Sequence, residues 1–331
     1  MTLMEFNQSD LCEQFSCPER SVSPAGYILL YMCSAAVVLL TVCGNLLVII
    51  SVLHFKQLHT PSNTLVLSLA VSDFLVGALV MLPELIWAIE SCWIFGRNFC
   101  ISFSLISGFL MDQSFYNIAL IAIDRYLALS NPFLYTNKIT RRATCTVIYS
   151  NCCLCLTYIT AIYYFNGGFM SFAMCPGECV YFLNEACSII DLVVSFIFPL
   201  SVIIILYTRV FVIAKKHATA IREVNNHTRP KTQKITSHSM KSERKAAKVL
   251  GILVSVFLLC LLPYFIYSLL LGNVIEVKVE TFQKVLIMLY LNSTINPIIY
   301  ALFYPWFRRC IKLILTLKIF QTDSALINVL S

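Results

Sequence analysis

Seven stretches of this chain are too long and too apolar to fold in water: about 26–53, 64–89, 100–129, 143–165, 187–213, 248–271 and 281–304. A helix rises 1.5 Å per residue, so each is long enough to cross the roughly 30 Å of hydrocarbon in a bilayer with some tilt. In lipid the backbone must satisfy its own hydrogen bonds, and the predicted fold is therefore an all-α membrane protein, a seven-transmembrane helix bundle. The composition fits: 59% of the 331 residues are hydrophobic and 12% charged, where soluble proteins carry about 25% charge. Soluble enzymes, nucleic-acid binders and disordered chains are excluded. The net charge of +7 is no sign of a nucleic-acid partner, because the basic residues lie between the apolar runs, where they set topology.

Seven crossings put the two termini on opposite sides. Lys56 follows the first run, Lys138, Arg141 and Arg142 the third, eleven basic residues from Arg209 to Lys248 the fifth, and Arg308, Arg309, Lys312 and Lys318 the seventh. That is nineteen of twenty-four, and the positive-inside rule makes those segments cytoplasmic and the N-terminus extracellular. The expected division is an extracellular tail over 1–25, the bundle over 26–304, and a cytoplasmic segment over 305–331. The tail has no basic region followed by an apolar core, so span one is expected to serve as the insertion signal. Asn7, in Asn7-Gln8-Ser9, is a glycosylation acceptor on the correct side. Trp306, Phe307, Cys310, Ile311 and Leu315 alternate with Arg308, Arg309 and Lys312 as a short amphipathic helix on the inner leaflet. Cys310 is a candidate for palmitoylation. The basic loop from Lys215 to Lys248 should attract anionic membrane lipid.

Ionisable side chains inside spans are costly and therefore informative. Asp73 sits in mid-span two, with Asn45 in span one and Asn292 and Asn296 in span seven as partners. Two readings stand side by side: a structural hydrogen-bond network, or a site holding a regulatory sodium ion. Asp124-Arg125-Tyr126 ends span three on the inner face, where Glu243 opens span six, at a depth that allows an Arg125–Glu243 bridge between helices that separate on switching. Pro199, Pro263 and Pro297 each remove a backbone donor and kink their spans.

The ordered set Asn45, Asp73, Cys100, Asp124-Arg125-Tyr126, Pro199 with Tyr207, Pro263, and Asn296-Pro297-Ile298-Ile299-Tyr300 resembles the rhodopsin-like G-protein-coupled receptors over essentially the whole chain. The run from Asn292 to Phe307, which continues through Tyr304-Pro305-Trp306-Phe307, is similar to the fingerprint of the trace amine-associated receptors, as are His54 to Pro61, Cys92 to Gly96 and Ser242 to Ala246. The resemblance implies an olfactory-type amine sensor that couples to a stimulatory heterotrimeric G protein. The switch residues it implies are Asp124, Arg125, Tyr126, Tyr207, Glu243, Asn296, Pro297 and Tyr300. It also implies a Cys100–Cys179 disulfide and a second bridge from Cys175 to either Cys12 or Cys17.

Those receptors carry an amine-binding aspartate eighteen residues before the arginine of Asp-Arg-Tyr, and here that position is Ser107. Asp191 lies eight residues before Pro199, about 12 Å further out and at the depth of a ligand pocket; a fish subset of the family is similar in carrying an aspartate on helix five. Asp191 is the expected ammonium anchor, through a charge-assisted hydrogen bond. For Asp112, five residues inward of Ser107, two readings remain: help in binding the amine or a second amino group, or a structural role in which it is protonated or pairs with Ser114, Thr157 or Thr160. Glu84 is expected to snorkel to the interface. Tyr264, Phe265 and Tyr290 are at the depth of aromatic pocket walls. Leu261 replaces the tryptophan usual before Pro263, leaving Phe257 to transmit motion to helix six. Cys145, Cys152, Cys153 and Cys155 are read as small buried residues of span four.

Competing classes fail on particular residues. A retinal sensor needs a lysine where Tyr290 stands, a transporter or channel needs an aligned polar path, and an enzyme needs a nucleophile, base and oxyanion site together. The alternative within the class is another aminergic or rhodopsin-like receptor for a different basic ligand.

Overall fold

The computed structural model describes residues 17, 23–168, 172–173, 177, 179–181, 183–227, 255–264, 266–267 and 279–330. Six helices among them are long and apolar enough to cross a membrane: Pro24–His54, Pro61–Glu90, Arg97–Ser130, Arg141–Phe165, Glu185–Ile213 and Gln283–Phe303. Ser255–Tyr264 is the described part of span six. Pro305–Leu315 forms the short helix after span seven. The expected seven-helix fold is thus the observed one, and Glu243, Phe265, Asn7, Cys12 and Cys175 lie outside the described residues.

Local sequence sets the helix starts. Ser23, Thr60, Thr140 and Asn184 each accept a hydrogen bond from the backbone N–H three residues on, satisfying a donor that the first turn cannot. Pro24 and Pro61 follow two of these caps, where the missing proline N–H costs nothing. Spans two and five each contain a wider π-turn, Val76–Met81 and Leu192–Ile197. The first ends just before Pro83-Glu84 and the second begins just after Asp191, and such turns occur often at functional sites.

The bundle closes around stacked clusters. Val80, Met81, Trp87, Trp93, Phe103 and Tyr290 pack at the outer end, Phe115, Ile118, Phe196, Ile203, Phe257, Leu261 and Leu289 in the middle, and Val48, Val52, Ala70, Tyr300 and Phe307 at the inner end. Large apolar residues such as Leu39, Tyr149, Leu154 and Phe211 remain exposed on the outside, as lipid-facing residues should. Span four departs from expectation: Cys155 is buried, whereas Cys145 and Cys153 are exposed, so those two sit on the membrane face and not in the bundle.

Above the outer cluster a small antiparallel hairpin pairs Phe172–Ala173 with Val180–Tyr181. Cys100–Cys179 fastens it to span three, and the Trp93 N–H donates to the Gly177 carbonyl at 2.6 Å. Cys17 is bonded to Cys92, which removes one of the two expected partners of Cys175. The sequence reading treated Cys92 only as part of a family motif. In the fold Cys92 lies beside Gly177, whose φ of +92° favours glycine and where a Cβ would come within 2.7 Å of Cys17 Sγ.

Spans one and seven touch through another glycine. A Cβ on Gly44 would lie 2.8 Å from Cγ of Pro297, a ring that cannot swing aside. Gly44→Leu is expected to destabilise the bundle by about 1–3 kcal/mol and to lower the melting temperature of detergent-purified protein by several degrees. Unchanged melting would mean that the two helices do not meet here.

Candidate ligand-binding site

A cavity of about 240 Å³ opens between the outer halves of the spans. Its wall holds three carboxylic acids, Glu84 from span two, Asp112 from span three and Asp191 from span five, together with Ser107, Ser195, Tyr264 and Tyr290. Most of the remaining wall is apolar, including Trp87, Phe103, Met111, Phe115, Leu286 and Leu289. No basic residue is among the described lining. The hairpin and the Cys100–Cys179 bond cover it, since Cys179 and Leu183 also face the space.

Asp191, the expected anchor, lines the cavity. Oδ1 of Asp191 accepts from the Tyr158 hydroxyl at 2.9 Å and from Ser195 at 3.1 Å. Asp112 is within electrostatic reach of Asp191, with Ser195 close to both. Asp112 is 5% exposed, and its Oδ2 has no hydrogen-bond partner among the described residues. The structural pairing considered for Asp112 does not form. Thr157 and Thr160 donate to their own helix, at the Cys153 and Leu156 carbonyls, the local bond that hydroxyl side chains make within helices. Ser114 lies near Asp73 instead, with no hydrogen bond within normal distance among the described residues. The span-four residue that does matter is Tyr158, which sequence reading missed because nothing in its neighbourhood sets it apart from a lipid-facing tyrosine.

Ser107, at the position of the missing aspartate, shares a 2.9 Å hydrogen bond with the Tyr290 hydroxyl. Both groups therefore have partners inside the bundle, as a buried phenol requires. Tyr264 is half-buried on the same wall. Glu84 overturns its expectation. It is 1% exposed, lines the cavity, and leaves Oε1 without a partner among the described residues. Snorkelling fails because Trp87 and the outer loops close over this end of the bundle. A signal was available: Glu84 lies eleven residues after Asp73, about 20° from a whole number of turns on a regular helix, so both should face inward.

Below the cavity, Asp73 is fully buried and accepts from Ser293 and Asn296, each at 2.7 Å. Asn45 joins one step away, donating to the carbonyls of Thr41 and Ser293 at 2.9 and 3.0 Å. Asn292 is buried but makes no hydrogen bond to Asp73. Ser293 takes the part expected of it. Asn117, also unforeseen, ties span three to span two through Ser68 and Ser72. Leu261 fills the middle cluster at 2% exposure, and Phe257 meets Phe115 edge to face at 5.6 Å.

At the inner face Asp124 accepts from Ser62 and Tyr135, both at 2.7 Å, and pairs with Arg125 at 3.1 Å. Arg125 is within electrostatic reach of Tyr207 and Tyr304. Tyr126 is half-buried beside it, and Tyr300 meets Tyr304 edge to face at 5.9 Å. The candidate lipidation site needs correcting. Cys310 is fully buried against Phe55, Leu58 and Val329, because the last residues fold back beneath the short helix. The Gln57 side chain holds the Val329 N–H at 3.0 Å. Burial pushes the Cys310 thiol up to about 11.

Comparison with known proteins places these features. Residues 44–300 match the model of the family described as "7 transmembrane receptor (rhodopsin family)". The chain is 36% identical to trace amine-associated receptor 13c of Danio rerio, over 99% of this chain and 98% of that one. It is 38% identical to trace amine-associated receptor 6 of Pan troglodytes, over 96% and 93%. With trace amine-associated receptor 7c of Rattus norvegicus it shares 37%, over 95% and 89%.

The burial of Cys310 has a direct chemical readout. A thiol titrating near 11 is roughly one part in ten thousand thiolate at pH 7, against a few per cent for an ordinary cysteine. Maleimide labelling of Cys310 is expected to run at least a hundredfold slower in the native protein than after denaturation. Truncation after Gln321 should speed it. Native labelling at the denatured rate would return Cys310 to the surface.

Proposed function

The chain belongs to the rhodopsin-like seven-transmembrane receptors and, within them, to the trace amine-associated receptors, and from that premise we propose that it detects small amines through Asp191. As a member of that family it is a multi-pass plasma-membrane receptor, not an enzyme, which takes a small-molecule ligand and acts on a heterotrimeric G protein. The observation that carries the amine reading is the cavity wall, with carboxylates and no basic residue among its described lining. Asp191 has one oxygen held by Tyr158 and Ser195, which fixes the carboxylate and leaves Oδ2 for a ligand N–H. Asp112 stands close enough for its charge to act on the same cation. Tyr264 and Tyr290 supply ring faces, each worth about 0.5–2 kcal/mol to an ammonium.

The resemblance supports an olfactory role and a stimulatory G protein, so that ligand binding raises cyclic AMP. The inner switch is then Asp124, Arg125, Tyr126, Tyr207, Asn296, Pro297 and Tyr300, with Glu243 as the span-six partner of Arg125. Asp73, with Asn45, Asn292 and Asn296, is the candidate place for a regulatory sodium ion, the alternative being the hydrogen-bond network that Ser293 and Asn296 make with it. Asn7 carries a glycan, residues 1–25 are the extracellular tail, 26–304 the bundle, and 305–331 the cytoplasmic helix and tail on membrane lipid. Cys12 remains to pair with Cys175.

Cells expressing the chain, given a panel of amines and read by cyclic AMP, test the reading. Losing a charge-assisted hydrogen bond of roughly 1.5–3 kcal/mol predicts that Asp191→Asn weakens amine potency about tenfold to a hundredfold. Surface expression is measured in parallel to separate binding from folding. A response confined to uncharged odorants would overturn the amine assignment, and full potency in Asp191→Asn would overturn the anchor.

A further inference from the structure

Asp191 faces the cavity because of how span five is wound just below it. The π-turn Leu192–Ile197 begins at the next residue, and a π-turn holds one residue more than a regular α-turn. At 3.6 residues per turn, one residue is about 100° of rotation. Wound as plain α-helix outward from Phe198, span five would therefore bring Leu192, not Asp191, to this part of the wall. In the structure Asp191 and Ser195 line the cavity, and Leu192 packs against the middle cluster.

That winding leaves one backbone group in need. The Phe198 N–H donates to the Val193 carbonyl, five residues back, and so does not serve Val194, four back. The next donor in the π-series would come from residue 199, which is proline and has no N–H. Within a membrane a carbonyl without a donor is costly. Another helix supplies the donor: the Tyr116 hydroxyl of span three donates to the Val194 carbonyl at 2.8 Å. The Tyr116 ring also packs against Phe198, 6.4 Å between centroids, the residue whose N–H has shifted. In an α-register Phe198 would serve Val194 itself, and the tyrosine hydroxyl would have no part to play. The π-register is thus the one that Tyr116 favours.

We propose that Tyr116 is a positioning residue: its hydroxyl holds span five in the π-register and thereby keeps Asp191 turned into the cavity. Its role is separate from contact with the ligand, because Tyr116 is not among the described lining. The proposal rests on the amine reading only for its effect on potency; the register can be read with no ligand present.

Asp191→Cys and Leu192→Cys, made singly and labelled in native membranes with a charged, water-soluble thiol reagent, report which position faces the cavity, with the natural chain as background. Position 191 should label faster than 192. Adding Tyr116→Phe, which removes only the hydroxyl, should lower the ratio of the two rates at least about fivefold, the smaller end of the effect of one unpaired buried acceptor. Tyr116→Met carries the same expectation by a second route, should the phenylalanine variant fail to fold. An unchanged ratio would overturn the proposal, as would faster labelling at 192 with Tyr116 intact. In the cyclic AMP assay Tyr116→Phe should raise the half-maximal amine concentration at least about fivefold in the natural chain, and by no more than about twofold on top of Asp191→Asn, since a change that acts through Asp191 then has nothing to act through. Equal losses in both backgrounds would mean a general packing defect and overturn positioning through Asp191. A lowered labelling ratio with unchanged amine potency would leave the register role of Tyr116 standing and overturn Asp191 as the anchor.

Discussion

A carboxylate held inside a lipid-embedded bundle must find a donor or a cation, and the acids of this chain divide by which of the two the protein supplies. Asp124 at the inner face has Ser62, Tyr135 and Arg125. Asp73 in the middle has Ser293 and Asn296, with a hydrogen bond to each oxygen. Further out, Asp191 has two donors on the same oxygen, and Asp112 and Glu84 each keep a buried oxygen with no partner among the described residues. Protein donors thus thin out from the cytoplasmic end towards the cavity. The inner acids are satisfied parts of the frame, and the outer ones lack that support from the protein among the described residues.

The same constraint explains why Ser107 can stand where relatives of this kind carry an acid. A serine there hydrogen-bonds Tyr290 and leaves no charge, so negative charge in the cavity is displaced to spans two and five and deeper on span three. The displacement changes which helices a cation draws together. Under the proposed function an ammonium at Asp191 would act on span five beside the π-turn of Leu192–Ile197, whose carbonyl at Val194 is held by Tyr116 of span three at 2.8 Å. Span five also carries Tyr207, within reach of Arg125 at the inner face. The proposed anchor and Tyr207 thus lie on one helix, whatever residue stands at Leu261.

Much of the fold was legible in the sequence because lipid imposes simple rules. Apolar length marked the spans, and the caps Ser23 and Thr60 lie within four residues of the starts read from hydropathy. The place of Asp191 in the cavity wall was legible too, since an acid among Ile189, Ile190, Leu192 and Val193 has to face the bundle interior. What was hidden depended on contacts between distant segments. Tyr158 matters only because span four sets it against span five. Cys17 pairs with Cys92 where loops cross at Gly177, and no spacing rule encodes that meeting. Cys310 was misread because amphipathic periodicity says which side of a helix is apolar, not whether lipid or the returning tail covers it. Glu84 was misread by depth alone. Its angular position pointed inward, and the covering loops that make depth irrelevant come from other parts of the chain.

Leu261 bears on how such a receptor would move. It packs at 2% exposure against the residues that surround Phe115 and Phe257, in a cluster that spans three, five, six and seven share. A branched aliphatic side chain has few low-energy rotamers and no broad ring to swing, so it acts as a filler whose displacement requires its neighbours to shift together. The Phe115–Phe257 edge contact lies one helical turn inward of Leu261 on span six and joins span three to span six. Phe115 also lines the cavity. A ligand that moves span three or presses on Phe115 therefore reaches span six through a ring-to-ring contact, with Leu261 following. The Phe115–Phe257 pair is thus the ring contact between spans three and six, and one of the two touches the cavity itself.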